Sequence, residues 1–279
     1  MKGADPSPMG EKRVGCMVLA GQHNRDGPFS DAFPVSNEAL VPVAGMPLLT
    51  WVLAGLRESR YLDRIAVVGP DDLRDKAVAE LPPRIQHGIE MVAPGESLTD
   101  NIRRGFEALE GHAWILISTA DIPLITASIV DEFINECFKA EGSFFYPVVP
   151  RETIESRYPG VERTYVKVAG RVLTGGNIFL VERRIIPQAL NVVEQFYQAR
   201  KNPLRLASLL GLGYIVKWAA GSLTLEELES KVSSMVGAQG RVIISSHPEV
   251  GLDIDKPSHI PPVEEILRAV EPGSGGHQA

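Results

Sequence analysis

The stretch VGCMVLAGQHNRDG, residues 14–27, decides the fold of this chain. It opens with a continuous apolar run, which is typical of a strand buried on both faces in a parallel sheet. Ala20 and Gly21 end that run as a turn that lets the backbone pass close to a phosphate group. The next residues, QHNRD, carry both signs of charge and add no glycine, which is unusual for a loop that binds phosphate. The stretch therefore predicts a buried strand followed by a candidate phosphate loop of uncommon composition.

Outward from this stretch, strand-like and helix-like segments alternate as far as Pro150. The predicted strands read RIAVVG, GIEMVA, AWILIS and SFFYPVV, and the predicted helices read MPLLTWVLAGLRE, DDLRDKAVAEL, SLTDNIRRGFEALEG and TASIVDEFINECFKAEG. Ser97 and Asp100 form a predicted capping box at the start of the third of these helices. Such alternation predicts an α/β fold, with a Rossmann-like, mostly parallel sheet and helices on both of its faces.

The pattern changes in the second half of the chain. The run RTYVKVAGRVLTGGNIFLV predicts a hairpin that turns at Ala169 and Gly170, followed by another strand. Residues 183–236 predict a C-terminal helical insertion that contains a second capping box, Thr224 with Glu227. A last strand, RVIIS, and a last helix, PVEEILRAV, follow it. Breaks within the insertion are predicted at Asn202-Pro203, Gly211, Gly213 and Gly221.

The domain organisation follows from these elements. One domain is predicted over residues 13–268, with the helical insertion inside it. Residues 1–12 and 269–279 contain Gly, Ser and Pro without an apolar pattern, so both ends are expected to be disordered.

Composition excludes several classes of protein. The 279 residues carry 28 Lys and Arg against 35 Asp and Glu, a net charge of −7, so a basic face for nucleic acid is not expected. Cys16 and Cys137 are the only cysteines, which argues against a disulfide framework and a zinc site. The N-terminal residues show no signal peptide, so a cytoplasmic location is expected. The apolar run LASLLGLGYIV, residues 206–216, is shorter than the roughly 20 residues of a membrane span.

Two acidic residues stand at predicted strand ends. Asp121 comes shortly after AWILIS, and Asp253 with Asp255 lies in VGLDIDKP. Ligands of open α/β sheets bind at the carboxyl edge, where such residues converge. Mg²⁺ (or Mn²⁺) prefers hard oxygen ligands and takes substrate phosphates as part of its shell, so Asp121 and Asp253 are the candidate metal ligands. The alternative is that each aspartate merely caps a helix or makes a turn. The combination of both motifs favours a metal site.

At these residues the chain resembles the molybdenum-cofactor guanylyltransferase-like NTP transferases, which are relatives of the sugar-1-phosphate nucleotidyltransferases. The resemblance covers about residues 13–268 and is carried by VLAG, ALVPVAGMPLLTWVLAGL, TADIPLIT and DIDKP. It implies a Rossmann-like sheet, with the metal held by Asp121 and Asp253. It also implies that a phosphate oxygen of an acceptor attacks the α-phosphorus of a nucleoside triphosphate and that pyrophosphate is released.

The first loop departs from the family pattern, which usually reads L-A-G-G-x-G-x-R and is followed by K-x-L-x-P-V-x-G. Gln22 and Asn24 stand at two glycine positions, Asp26 stands at the arginine, and Glu38 stands at the lysine. Two expected positive charges are therefore negative. Arg25 takes the place of the family arginine by a one-residue slip in one interpretation. In the others, the nucleotide binds differently, or the site binds ligand without catalysis.

Further candidate residues flank this loop. Nucleotide binding is predicted for Ala20, Gly21, Gln22, Asn24 and Glu38, and for Gly95 and Ser97 at the start of a helix, where a plain capping role is the alternative. Acceptor binding is predicted, from the sugar-nucleotide relatives, for Lys167, Thr174, Gly175, Gly176 and Asn177, with a solvated hairpin as the alternative.

The sequence thus predicts a Mg²⁺-dependent nucleotidyltransferase with Asp121, Asp253 and Arg25 as its catalytic residues. Its partners would be a nucleoside triphosphate and a phosphorylated small-molecule acceptor. The alternatives are a nucleotide-sugar glycosyltransferase of related fold and a nucleotide-binding protein with a degenerate site. For the insertion, packing over the sheet is favoured over a dimer face or a peripheral membrane contact. The oligomeric state is left open.

Overall fold

The computed structural model describes residues 13–21, 27–168, 170–199 and 203–269. Its strands are β1 (Val14–Leu19), β2 (Pro42–Val43), β3 (Met46–Pro47), β4 (Leu62–Val68), β5 (Ile89–Val92), β6 (Trp114–Thr119), β7 (Phe144–Pro150), β8 (Val166–Val168), β9 (Arg171–Gly175), β10 (Ile178–Glu182) and β11 (Gly240–Ile244). Its α-helices are α1 (Leu48–Arg57), α2 (Pro83–Gln86), α3 (Leu98–Ala108), α4 (Ala127–Lys139), α5 (Arg151–Arg157), α6 (Ile186–Ala199), α7 (Pro203–Leu210), α8 (Leu212–Ala219), α9 (Leu225–Val236) and α10 (Ile260–Ala269). The predicted disordered ends lie outside the described residues, apart from Ala269, which ends α10.

A nine-stranded sheet forms the centre of the domain, in the order β5-β4-β1-β6-β10-β7-β9-β8, with β11 also paired to β7. The pairs β1–β4, β1–β6, β4–β5 and β7–β11 are parallel. Only β9 and β10 run against the other seven strands. The predicted Rossmann-like, mostly parallel sheet is therefore confirmed, and β2 and β3 form a separate small hairpin.

Helices cover both faces of the sheet because β1 is apolar on both sides. Cys16 and Val18 point into one core, which includes α1 and α4. Met17 points into the other, together with Ile102 of α3 and Ile186 of α6. Cys16, Met17 and Val18 are all fully buried, as the apolar run predicts.

A two-residue bulge separates β9 from β10 along β7. Three steps along β7, from Val148 back to Phe145, correspond to five steps along the partner strand, from Gly175 to Leu180. The extra residues are Gly176 and Asn177. Gly176 fits only without a side chain, because an added Cβ would lie 2.7 Å from Cγ of Pro147. The bulge re-aims the chain at the carboxyl end of β6, where Thr119 N donates to the carbonyl of Asn177 over 3.1 Å.

Some of the predicted capping boxes, helices and turns are present in the structure and others are not. Thr224 and Glu227 make the full reciprocal capping box. Ser97 accepts from Asp100 N, but the Asp100 carboxylate bonds to Glu96 N at 3.3 Å instead of returning to Ser97, so only half of that box forms. The predicted helix DDLRDKAVAEL is reduced mainly to a π-helical turn, Arg74–Val78, and α2 and α5 were not predicted. The predicted hairpin between β8 and β9 is present, with Gly170 at φ +75° and Ala169 outside the described residues.

The insertion is helical from α6 to α9, as predicted, with Gly211 and Gly221 between helices and Gly213 inside α8. Asn202, of the predicted break at Asn202-Pro203, lies outside the described residues. Packing over the domain, the favoured interpretation, holds for α6 against α3 and for α9 against β11. It is wrong for α8, which buries no residue and leaves Leu212 80% exposed. Among the described residues, no helix is long and apolar enough to cross a membrane.

Gly55 of α1 packs against the loop that follows β6. A Cβ added at Gly55 would lie 2.1 Å from the carbonyl oxygen of Ile125. Backbone cannot yield as a flexible side chain does, so Gly55→Ala is expected to lower the free energy of unfolding by about 3 kcal/mol, measured by urea denaturation.

Gly213→Ala is the matched control, since it is the same substitution in a helix with no atom within 4 Å of the added Cβ. It is expected to be neutral or to stabilise by up to about 1 kcal/mol through helix propensity. Equal changes in the two variants would contradict the packing described for α1.

Candidate functional site

Two carboxylates meet at the carboxyl edge of the sheet. Asp121 lies two residues beyond β6, and Asp253 lies in the segment before α10. The backbone N–H of Ile254 donates to the carbonyl of Asp121 over 2.9 Å, which holds the two segments side by side. Thr119 Oγ1 donates to Asp121 Oδ1 at 2.5 Å and fixes that carboxylate at the strand end. The convergence expected from the sequence is therefore present in the fold.

The environment of Asp121 disfavours its charged form. Burial, and secondly the negative charge of Asp253, raise the pKa of Asp121 to about 7. The hydrogen bond from Thr119 and the charge of Arg163 act in the opposite direction and are smaller effects. A carboxylate held this way is stabilised by any cation that enters the site.

Two side chains bind the carboxylate of Asp253. Arg163 forms an ion pair with its Oδ1, and Asn177 Nδ2 donates to the same oxygen at 3.1 Å. Arg163 Nη1 also donates to the Asp253 carbonyl at 3.3 Å. The side chains of Arg163 and Asp253 are only 11% and 15% exposed, so the pair is largely shielded from water. Asn177, which was predicted to bind the acceptor substrate, thus contacts the candidate metal ligand Asp253.

The donor set of this edge fits a divalent cation. Asp121 and Asp253 offer hard carboxylate oxygens, and Mg²⁺ is commonly bound by one or two carboxylates with substrate phosphates completing its shell. Within the described ranges, no group of three or more acidic, histidine or cysteine residues forms a metal cage. Asp255 points away, since its carboxylate is 60% exposed and lies 3.0 Å from Nδ1 of His259. Metal binding by Asp121 and Asp253 stays a prediction, and the site is one that substrate phosphates would complete.

Asn37 binds the residue that directly follows β1, and sequence reasoning did not identify it. Its Nδ2 donates to the carbonyl of Ala20 at 2.8 Å, and its Oδ1 accepts from Ala39 N at 2.8 Å. Asn37 is 1% exposed and caps the 3₁₀ turn that contains Glu38. Glu38 is therefore held near the end of β1. The predicted residues Gln22, Asn24 and Arg25 lie outside the described residues, as does Asp26.

Gly21 touches the start of α3. A Cβ on Gly21 would lie 2.7 Å from Nδ2 of Asn101, whose Oδ1 accepts from Gly95 N at 2.6 Å. Ser97 caps α3 by accepting from Asp100 N at 3.1 Å. The structure therefore brings Gly21, Gly95 and Ser97 into one neighbourhood, and the capping alternative describes what Ser97 does in this structure.

The residues predicted to bind the acceptor substrate differ in their exposure to solvent. Thr174 is buried on β9, and Lys167 is exposed on β8 at the edge of the sheet. Gly175 makes room for Tyr146, whose hydroxyl would lie 1.7 Å from an added Cβ. Burial and then the charge of Asp253 raise the pKa of Tyr146. The glycines of this segment accommodate neighbouring protein atoms, and acceptor binding at Gly175 and Gly176 stays a prediction.

A polar cleft of about 220 Å³ adjoins Asp253, lined by Glu162, Arg163, Thr164, Asp255, Lys256 and His259. Lys256 Nζ and Glu162 Oε2 are 2.9 Å apart, and their side chains are 41% and 83% exposed. His259 Nδ1 lies 3.3 Å from the Asp253 carbonyl. His259 Nε2 is buried without a hydrogen-bond partner among the described residues. The cleft therefore offers charged and neutral polar groups next to the carboxylate pair.

The raised pKa of Asp121 predicts a pH dependence of stability for the metal-free protein. The folded protein keeps a proton up to about pH 7 that the unfolded chain, with a pKa of 3.8, loses earlier. The unfolding free energy should therefore fall as pH rises between these values. Asp121→Asn should remove part of that fall, so its Tm at pH 8 should exceed that of the wild type by a few degrees.

Thermal unfolding at pH 5 and pH 8, with a chelator present, checks this expectation. Asp75→Asn, which alters an exposed carboxylate on the turn Arg74–Val78, is the control and should follow the wild type. If the Tm of the wild type falls no more between pH 5 and pH 8 than that of Asp121→Asn, the pKa of Asp121 is not raised by the fold.

Curated relatives match part of the chain. A 2-C-methyl-D-erythritol 4-phosphate cytidylyltransferase of Nocardia farcinica is 31% identical over 115 residues, which are 41% of this chain and 49% of that protein. The enzyme of the same name from Rhodococcus jostii is 26% identical over 113 residues, 40% of this chain and 48% of that protein. The chain thus spans about half the length of the curated relatives it matches.

Solved structures match more of it. A hypothetical transferase from Thermus thermophilus superposes with a TM-score of 0.75 and 29% identity, covering 89% of this chain and 99% of that one. CMP:2-keto-3-deoxy-manno-octonic acid synthetase complexed with CTP gives a TM-score of 0.54 at 14% identity, covering 92% and 99%, and this likeness concerns the fold alone. The profile of the MobA-like NTP transferase domain matches residues 16–208, more than half of the chain. This protein therefore belongs to the family of MobA-like NTP transferase domains.

Proposed function

We propose that this protein is a Mg²⁺-dependent nucleotidyltransferase that joins an NMP unit to a phosphorylated small-molecule acceptor. A phosphate oxygen of the acceptor would form a bond to the α-phosphorus of the triphosphate. The bond from that phosphorus to the α–β bridging oxygen would break, and pyrophosphate would leave with the electron pair. The observation that carries the proposal is the juxtaposition of Asp121 and Asp253 at the carboxyl edge, next to β1, which ends at Leu19.

This chemistry suits a site without a dedicated general base. An acceptor phosphate is already anionic at neutral pH, so the protein has to align it with the leaving group and neutralise the charge that gathers there. Asp121 and Asp253 would hold Mg²⁺ or Mn²⁺, which when bound supplies positive charge to the phosphates. Thr119 and Asn177 would keep the two carboxylates in place through their hydrogen bonds.

The first loop would face the triphosphate. The carbonyl of Ala20 accepts a hydrogen bond from Asn37, and Gly21 lies against Asn101, so both residues after β1 have defined neighbours. Arg25 is proposed to face the phosphates in place of the arginine missing from the family position. A divalent cation would offset the negative charge that Asp26 and Glu38 bring to the same loop region.

CTP is proposed as the donor and a phosphorylated polyol as the first acceptor class. The proposal is supported by the names of the curated relatives, which are cytidylyltransferases acting on 2-C-methyl-D-erythritol 4-phosphate. The same proposal places the reaction in the cytoplasm, where nucleoside triphosphates are available.

Nucleotide binding gives the first test of this function. CTP with Mg²⁺ at about 100 times its Kd is expected to stabilise the protein by about 2.7 kcal/mol, seen as a rise in Tm, and GTP, UTP and ATP are expected to give smaller shifts. The shift should require Mg²⁺ and should be lost in Asp121→Ala and Asp253→Ala. Asp75→Ala, which removes an exposed carboxylate, should keep it.

Turnover gives the second readout. Pyrophosphate release with a panel of phosphorylated polyols should fall by about 100-fold or more in either aspartate variant and stay within a few-fold in Asp75→Ala. A Mg²⁺-dependent shift with another triphosphate would correct the donor. A shift with a nucleotide diphosphate-sugar and with no triphosphate would overturn the transferase proposal in favour of a glycosyltransferase.

A further inference from the structure

Arg163 reaches the candidate metal site from the first position of the run RTYVKVAGRVLTGGNIFLV. It lies between α5 and β8, 90 residues before Asp253 in the chain. Its guanidinium binds both the carboxylate and the carbonyl of Asp253. With only 11% of its side chain exposed, Arg163 is fixed in this place by the fold, unlike a surface arginine that samples many positions.

The pair of carboxylates needs a counter-ion. Asp121 and Asp253 carry like charges in a poorly solvated place, and such an arrangement is unfavourable unless a cation is near. Arg163 supplies that cation in the structure as it stands. A divalent cation that binds the same carboxylates would be repelled by the guanidinium of Arg163, which is already bound to Asp253.

We propose that Arg163 is a built-in counter-ion that competes with the divalent cation for Asp253 and thereby sets the metal affinity of the free protein. This inference rests on the proposed function, in which Asp121 and Asp253 hold the metal. It makes Arg163 a positioning residue, since its effect is exerted through Asp253.

The surroundings of Arg163 allow the exchange. Asn177 Nδ2 keeps its own bond to Asp253 Oδ1 at 3.1 Å, so Asp253 stays in place when the guanidinium withdraws. Arg163 also lines the polar cleft, and its buried Nε has no hydrogen-bond partner among the described residues. An anionic group in that cleft, such as a phosphate, offers the guanidinium a second partner of the same charge as the carboxylate it leaves.

Mn²⁺ binding to the full chain, without nucleotide, tests the inference through the electron paramagnetic resonance signal of free Mn²⁺. Arg163→Gln removes the competing charge while keeping a polar side chain of similar reach. It is expected to bind Mn²⁺ about tenfold more tightly than the wild type at the same pH and salt. Arg163→Lys keeps the charge but loses the forked pairing, so its affinity should lie between the two.

Arg157→Gln is the matched control. Arg157 also pairs with a buried carboxylate, lying 3.2 Å from Glu249, yet its partner is not one of the two proposed metal ligands. Its Mn²⁺ affinity should equal that of the wild type. Circular dichroism and Tm show whether each variant is folded. If Arg163→Gln is unfolded, Arg163→Lys takes its place as the test variant.

The outcomes separate this inference from the proposed function. Tighter Mn²⁺ binding in Arg163→Gln, lost on adding Asp121→Asn, supports the counter-ion. Unchanged or weaker binding overturns it, because Arg163 would then be irrelevant to the metal or needed to hold Asp253 for it. Nucleotide transfer that depends on both aspartates would leave the proposed function standing in that case. Absence of Mn²⁺ binding in every variant overturns the inference as well.

Discussion

The hydrogen bond from the backbone of Ile254 to the carbonyl of Asp121 holds together two side chains that repel each other. Asp121 is placed by β6, a central strand, and Asp253 by a segment that enters from the far end of the sequence. Their proximity costs free energy in the absence of a cation, and the raised pKa of Asp121 reflects that cost. The sheet, the packing of α1 and the bulge before β10 all serve to fix this pair.

The position of positive charge distinguishes this chain from the family pattern in its first loop. Asp26 and Glu38 stand where an arginine and a lysine are usual, and Arg163 brings a cation to Asp253. The cation that the structure places beside the carboxylate pair is therefore a largely buried arginine. Arg163 contacts both Asp253 and the polar cleft, so it links the candidate metal ligand to that cleft.

The sequence was sufficient for the elements whose physics is local. Apolar runs identified β1 and β6, and the convergence of strand ends at the carboxyl edge of a parallel sheet predicted that Asp121 and Asp253 lie together. Contacts between irregular segments could not be predicted from the sequence, because no pattern relates Arg163 to Asp253, or Asn37 to the carbonyl of Ala20. The apolar α8 was expected to be buried, and its exposure shows that composition does not say which helix finds a partner.

A double-mutant cycle on divalent-dependent CTP binding tests the central claim most directly, because it asks whether Asp121 and Asp253 act on one cation. Calorimetric affinities would be measured for the wild type, Asp121→Asn, Asp253→Asn and the double variant, each with and without Mg²⁺. If both carboxylates hold the same metal, either single change should abolish the Mg²⁺ contribution, and the double variant should lose no more. Losses that simply add, or a Mg²⁺ contribution that survives both changes, would contradict a shared site.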